Sequence, residues 1–202
     1  MKDIDIFIFG DSIVYGVGDT EKCGWVNRFR LNLEKDTTRT YNVFNLGISG
    51  DITEGVKNRF NTEFETRNDK ENENLIIFSI GVNDTQDIKG KYRVSLDEFE
   101  NNIFYLINNA KKYSDNIIFI GLPKVDETKV VPLPWNKDKS YFNKKIIKFD
   151  NKLEEVCNKN NIKYLKIYNL ISQDELLDGI HPNSIGHQKL CEAVTEFIKD
   201  LL

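Results

Sequence analysis

Ile4-Asp5-Ile6-Phe7-Ile8-Phe9-Gly10-Asp11-Ser12 is an apolar run that stops abruptly on three residues of turn-forming type. Apart from Asp5 the run lacks the polar alternation of a half-exposed strand, so it predicts a strand covered on both faces of a parallel sheet. Four further runs repeat the pattern outward along the chain, at residues 42–46, 75–80, 116–120 and 162–167. The last carries Lys163 and Lys166, which suits a sheet edge. Between the runs, apolar residues recur at helical spacing. Trp25, Phe29 and Leu33 form one stripe, and Val56 and Phe60 another. Phe99, Ile103, Leu106, Ile107 and Ala110 follow, then Phe142, Ile146, Phe149, Leu153 and Val156, and last Leu190, Val194, Phe197 and Ile198. Ser95 or Asp97 suits the cap of the third of these helices, and Asn183 or Ser184 that of the last. Strand and helix therefore alternate along the chain. That order predicts an α/β fold, a three-layer α/β/α sandwich on a five-stranded parallel sheet of flavodoxin-like type. Residues 1–202 read as one domain, without repeat or linker.

Composition narrows the class. Of the 202 residues, 40% are hydrophobic and 30% charged, which is the balance of a globular chain. The net charge of -4, with lysines and acids interspersed, points away from nucleic acid. No run approaches the roughly 20 apolar residues of a membrane span, so no stable membrane insertion is expected. The three cysteines, Cys23, Cys157 and Cys191, are isolated in sequence and show no metal or redox spacing. Free thiols and the lack of a signal-like leader lead to the expectation of a cytoplasmic protein.

The chemistry sits just beyond the strands. Gly10-Asp11-Ser12 follows the first run, Gly47-Ile48-Ser49-Gly50-Asp51 the second and Gly81-Val82-Asn83-Asp84 the third. Asp178-Gly179-Ile180-His181-Pro182 precedes the last helix. In a parallel sheet these strand ends share one edge, so segments far apart in sequence converge. A serine nucleophile needs a base, a group that orients the base, and donors for a developing oxyanion. Only two histidines exist, and His181 has Asp178 three residues upstream, within reach of a single turn. Asn83 offers a neutral amide donor, and glycine lets a backbone N–H approach a substrate closely.

Taken in order, the four segments resemble the SGNH hydrolases, also called the GDSL esterase/lipase family. The resemblance makes Ser12 the nucleophile, His181 the base and Asp178 its partner. It assigns the oxyanion donors to the backbone N–H groups of Ser12 and Gly50 and to the side chain of Asn83. Isoleucine stands at position 13, where the family name implies leucine. The resemblance implies a small-molecule ester substrate, with short acyl esters, acylated sugars, lysophospholipids and thioesters all compatible, and no metal or organic cofactor. Asp11 and Trp135 are expected at the substrate site, Trp135 from the long irregular stretch 122–139 that should sit at the carboxyl edge of the sheet.

Each segment also has a plainer reading. Gly-Asp-Ser suits an ordinary turn, Gly-x-Asn-Asp a loop with local backbone bonds, and Asp-x-x-His a helix cap. Ser49 is a second candidate nucleophile, although Gly47-Ile48-Ser49-Gly50 lacks the Gly-x-Ser-x-Gly spacing of a nucleophile elbow. A flavodoxin-like sheet also suits a flavin- or nucleotide-binding module. Against it, Asp11 brings negative charge to the phosphate position, and Glu21 stands where a dinucleotide fingerprint needs its third glycine. A catalytically idle relative acting as an interaction module is a further alternative. His187, Cys157, Cys191 and Trp25 read as structural.

Overall fold

The computed structural model describes residues 2–202. Strands β1 (Ile4–Gly10), β2 (Tyr41–Gly47), β3 (Glu73–Ser79), β6 (Asn116–Ile120) and β8 (Lys163–Leu165) form a parallel sheet in the order β2-β1-β3-β6-β8. The predicted five-stranded sheet is therefore present. β8 lies at an edge, as Lys163 implies, and is shorter than the expected 162–167, so that Lys166 falls beyond it.

Alternation along the strands sorts the core into two layers. Phe7, Phe9, Ile76, Phe78 and Phe119 face α3 (Thr53–Arg67), α4 (Leu96–Ala110) and α6 (Asn143–Lys159). Ile6, Ile8, Leu75, Ile77 and Ile118 face α2 (Trp25–Leu33) and α7 (Ser184–Ile198). The first layer is largely aromatic, with Phe7 against Phe64 at 4.3 Å and Phe78 against Phe119 at 4.7 Å between ring centroids. Burial of each such side chain contributes about 2 kcal/mol relative to exposure. Cys157 and Cys191 lie in these layers as small apolar groups.

The helix starts follow local chemistry. Ser95, rather than Asp97, caps α4 in a capping box: its hydroxyl accepts from Glu98 N–H, and the Glu98 carboxylate accepts from Ser95 N–H. Asn183 caps α7, accepting from the N–H groups of Ile185 and Gly186. No helix among the described residues is long and apolar enough to cross a membrane.

One element was not foreseen. The stretch read as irregular, 122–139, and the segment after Asn83-Asp84 contribute to a second, antiparallel sheet. It joins β4 (Asp87–Ile88), β5 (Lys91–Tyr92) and β7 (Lys139–Ser140) in the order β5-β4-β7. The stretch 122–139 also contains a short helix, α5 (Glu127–Val130). Strands of two residues are too short to leave a periodic trace in sequence, so pattern reading passes over them.

Candidate active site

Strands are added outward in opposite senses on either side of the junction between β1 and β3, and ligands of open α/β sheets bind outside the carboxyl ends at such a switch point. Ser12 sits there, at the start of the one-turn helix α1 (Ser12–Tyr15). Asp11 caps that turn by accepting from Ile13 N–H at 2.9 Å, which fixes the serine at the strand exit. Ser12 Oγ lies 2.9 Å from His181 Nε2. His181 Nδ1 lies 2.7 Å from Asp178 Oδ2, while Asp178 Oδ1 accepts from the N–H groups of His181 and Ile180. Burial opposes the charge on Asp178, but the His181 ring and these backbone donors outweigh it and hold the carboxyl at about 2. The carboxylate therefore faces Nδ1–H, and Nε2 is left bare toward the serine.

The loop between α1 and α2 binds the serine segment to the histidine segment. Gly18 has φ +100°, and a Cβ there would lie 2.1 Å from the Pro182 carbonyl oxygen, so only glycine permits this approach. Asp19 accepts from the hydroxyl of Ser184 and pairs with Arg28 at 2.7 Å. Burial works against the Asp19 charge, yet Arg28 and the surrounding donors hold its carboxyl far below the ordinary range. His187 is fully buried. Its Nδ1 accepts from Trp25 N–H at 3.1 Å, so its Nε2 carries the proton and donates to the Val17 carbonyl at 3.0 Å. Burial lowers its pKa and keeps it neutral. The second histidine is thus a structural clamp beside the first, as its sequence position suggested.

Asn83 and Gly50 come to the same edge. Gly50 has φ +79° with open space around it. Its N–H finds no acceptor among the described residues, and the N–H of Ser12, at a helix start, has none within its helix. The Asn83 side-chain N–H₂ donates to the Asp51 carbonyl at 2.9 Å and makes a longer 3.4 Å contact with Asp11 Oδ2. Its oxygen accepts from the Tyr141 hydroxyl at 2.7 Å, and that hydroxyl accepts from Gln86 Nε2. Tyr141 thereby fixes which way the amide points. Asp84, the next residue, accepts from Thr53 N–H and hydroxyl, tying this segment to the start of α3. Burial pushes the Asp84 carboxyl up to about 7 against those bonds. Arg59 closes the frame by donating to the carbonyls of Leu46 and Gly10 and pairing with Asp51. Tyr141, Gln86 and Arg59 had no sequence signal, because each acts through a neighbour brought in by the fold.

Ser12, Gly50, Asn83 and His181 line one cavity of about 450 Å³, with Trp135 exposed at its rim. Ser49 also lines it, but the hydrogen bond of His181 Nε2 goes to Ser12. Asp11 does not line this cavity. It is 3% exposed, caps α1 and lies 3.4 Å from the Asn83 amide, where a substrate contact was expected. A hollow of similar volume beside Leu33 and Arg39 holds no paired nucleophile and base. No group of three or more His, Cys, Asp and Glu side chains among the described residues could hold a metal ion.

Burial raises the Asp11 carboxyl from 3.8 to about 6, with the Ile13 hydrogen bond opposing the rise. A raised carboxyl binds more protons folded than unfolded, so its contribution to stability falls as pH climbs through that window. Between about pH 4 and pH 7 it should cost the wild type about 3 kcal/mol. Asp11→Asn lacks this term. Urea unfolding should therefore show the variant gaining on wild type between acid and neutral pH; a pH-independent gap would remove the assignment.

A doubly covered parallel sheet, with a serine, a histidine and a carboxylate in line at its switch point, is the frame of a GDSL-type carboxylic ester hydrolase. The GDSL-like Lipase/Acylhydrolase family model matches residues 8–189, and the chain belongs to that family. Among solved structures, a lipase/acylhydrolase from Enterococcus faecalis is 21% identical with a TM-score of 0.79, over 100% of this chain and 97% of that one. An acetylxylan esterase from Geobacillus stearothermophilus is 19% identical with a TM-score of 0.73, over 97% and 94%. A psychrotrophic esterase from Pseudoalteromonas is 15% identical with a TM-score of 0.73, over 98% and 97%. At these identities the likeness establishes the shared fold. No curated protein matches the chain in sequence.

Proposed function

We propose that the protein hydrolyses esters of small carboxylic acids through a covalent acyl intermediate on Ser12. The observation that carries this reading is the unbroken line from Ser12 Oγ to His181 Nε2 at 2.9 Å and from His181 Nδ1 to Asp178 Oδ2 at 2.7 Å. Ser12 Oγ attacks the ester carbonyl while His181 Nε2 takes its proton, and Asp178 stabilises the imidazolium. The tetrahedral oxyanion rests on the N–H groups of Ser12 and Gly50 and on the Asn83 amide, whose proton toward Asp11 is the weakly held one at 3.4 Å. His181 then protonates the departing alcohol. Water, deprotonated by the same histidine, releases the acid. A cavity of about 450 Å³ suits a small ester. Acetylated sugars are included in this class, with Trp135 at the rim available to stack on a ring.

The test is reaction with a fluorophosphonate probe, read as a mass adduct on the Ser12 peptide. An adduct on Ser49, or none in folded protein, would overturn the reading. Asn83→Ala is expected to lower kcat by about 10²–10³ while moving KM little, because the amide matters most once the oxyanion forms. Tyr141→Phe removes the donor that orients Asn83 and should cost about tenfold in kcat through the same oxyanion contact. Steady-state kinetics with a p-nitrophenyl ester separates the two; equal losses in KM alone would count against the role.

A further inference from the structure

The antiparallel sheet beside the site has a chemical consequence. Its β4 strand pairs with β5 and β7, and Arg93 N–H donates to the Gln86 carbonyl one step beyond the ladder. Lys139 in β7 and Tyr141, just past its end, both reach the site. Gln86, Arg93, Lys139 and Tyr141 all line the cavity that holds Ser12 and His181.

Two of these four are cations, and no Asp or Glu lines the cavity. The cavity is thus locally positive in a chain of net charge -4. Arginine pairing sharpens the point. The chain has six arginines, and Arg28, Arg30, Arg39, Arg59 and Arg67 each pair with an Asp or Glu. Among the described residues, the Arg93 guanidinium has neither an ion pair nor a side-chain hydrogen bond, although it is the arginine in this cavity. Lys139 Nζ has no acidic partner either among the described residues, while Lys145 in α6 pairs with Asp87 of β4. Guanidinium offers a planar fork of donors that matches carboxylate and phosphate, and it keeps its charge at any working pH.

We propose that the esters this cavity selects carry a second, anionic group, a carboxylate or a phosphate, which Arg93 and Lys139 receive while the ester carbonyl sits at Ser12. The proposal rests on the ester hydrolase reading and names the substrate class for that same site. The small sheet sets the spacing between the anion and the scissile bond, so the charge acts as a register mark as well as an attraction. Because Arg93 is exposed, its attraction should be screened by salt.

Three matched pairs of esters test it. p-Nitrophenyl hydrogen glutarate against p-nitrophenyl valerate puts a carboxylate on the acyl side. p-Acetoxybenzoate against its methyl ester puts one on the alcohol side, and p-acetoxyphenyl phosphate against p-acetoxyanisole replaces it with phosphate. Wild type should favour the charged member of at least one pair by about tenfold or more in kcat/KM, and less so at high salt. Arg93→Gln should lower that charged-to-neutral ratio about tenfold, and Lys139→Gln should lower it further in the double variant. Ser12-dependent hydrolysis with every ratio at or below one overturns the anionic specificity and leaves ester hydrolysis standing. So does a ratio that survives in the double variant. Failure of wild type to cleave any of the six esters at Ser12 removes both readings.

Discussion

Ser12→Ala is expected to lower kcat toward a p-nitrophenyl ester by about 10⁶, the scale on which loss of a serine nucleophile is felt. The expectation follows from what remains once Oγ is gone. His181 Nε2 loses its partner at 2.9 Å, and Ser49, which also lines the cavity, has no hydrogen-bonded base among the described residues. The oxyanion donors survive the change, so a residual rate of about 10³–10⁴ over water is still expected from them. The cut is small and sits at the end of a buried strand, so the fold should persist, and thermal unfolding should show it. The fluorophosphonate adduct should vanish with the activity. Retention of more than about 1% of the wild-type rate would be far above that residual and would move the nucleophile elsewhere.

Asp178→Asn comes next in size, at about 10⁴ in kcat. The amide oxygen of the variant can still accept from the backbone of Ile180 and His181, as Asp178 Oδ1 does, so the turn keeps its shape. The changed atom is the one 2.7 Å from His181 Nδ1. An amide N–H₂ there donates, which forces Nδ1 to accept and moves the imidazole proton to Nε2. A protonated Nε2 cannot take the Ser12 proton, so the base is lost with the ring still in place. Acid titration provides a second readout. The native Asp178 carboxyl is held below its ordinary value of 3.8, at about 2, so its stabilising contribution is present above the ordinary value and fades as pH falls toward about 2. The variant should lack that part of the acid transition. Equal activity in wild type and variant would mean that His181 is oriented by something other than Asp178.

Periodicity in the sequence was enough for the sheet, because strands buried on both faces must be apolar at nearly every position. β1 is buried from Ile4 to Gly10, and β3 and β6 are largely buried as well, whereas the edge strands β2 and β8 are only partly covered and were legible from their apolar residues alone. Helix caps were legible for the same local reason, since Ser95 and Asn183 act within three residues of themselves. The expected serine, histidine and acid were found within hydrogen-bond reach because strand ends in a parallel sheet share an edge. Asp11 was expected at the substrate site; in the structure it is buried, caps α1 beside Ser12 and does not line the cavity, a placement set by the N-cap hydrogen bond to Ile13 N–H. The small second sheet left no trace in the sequence, since two-residue strands have no period to detect.

The sequence alone therefore determined the layered sheet, the family and the order of the reactive residues along its edge. These depend on hydrophobic period and on short motifs, both local properties of the chain. The tertiary structure decided the rest: that Tyr141 orients Asn83, that His187 clamps the loop beside His181, and that Arg93 and Lys139 line one cavity with Ser12. Each of those relations joins residues that no local spacing connects. They exist only because pairing in a small second sheet, and packing around Gly18 and Arg28, bring distant side chains into one cavity.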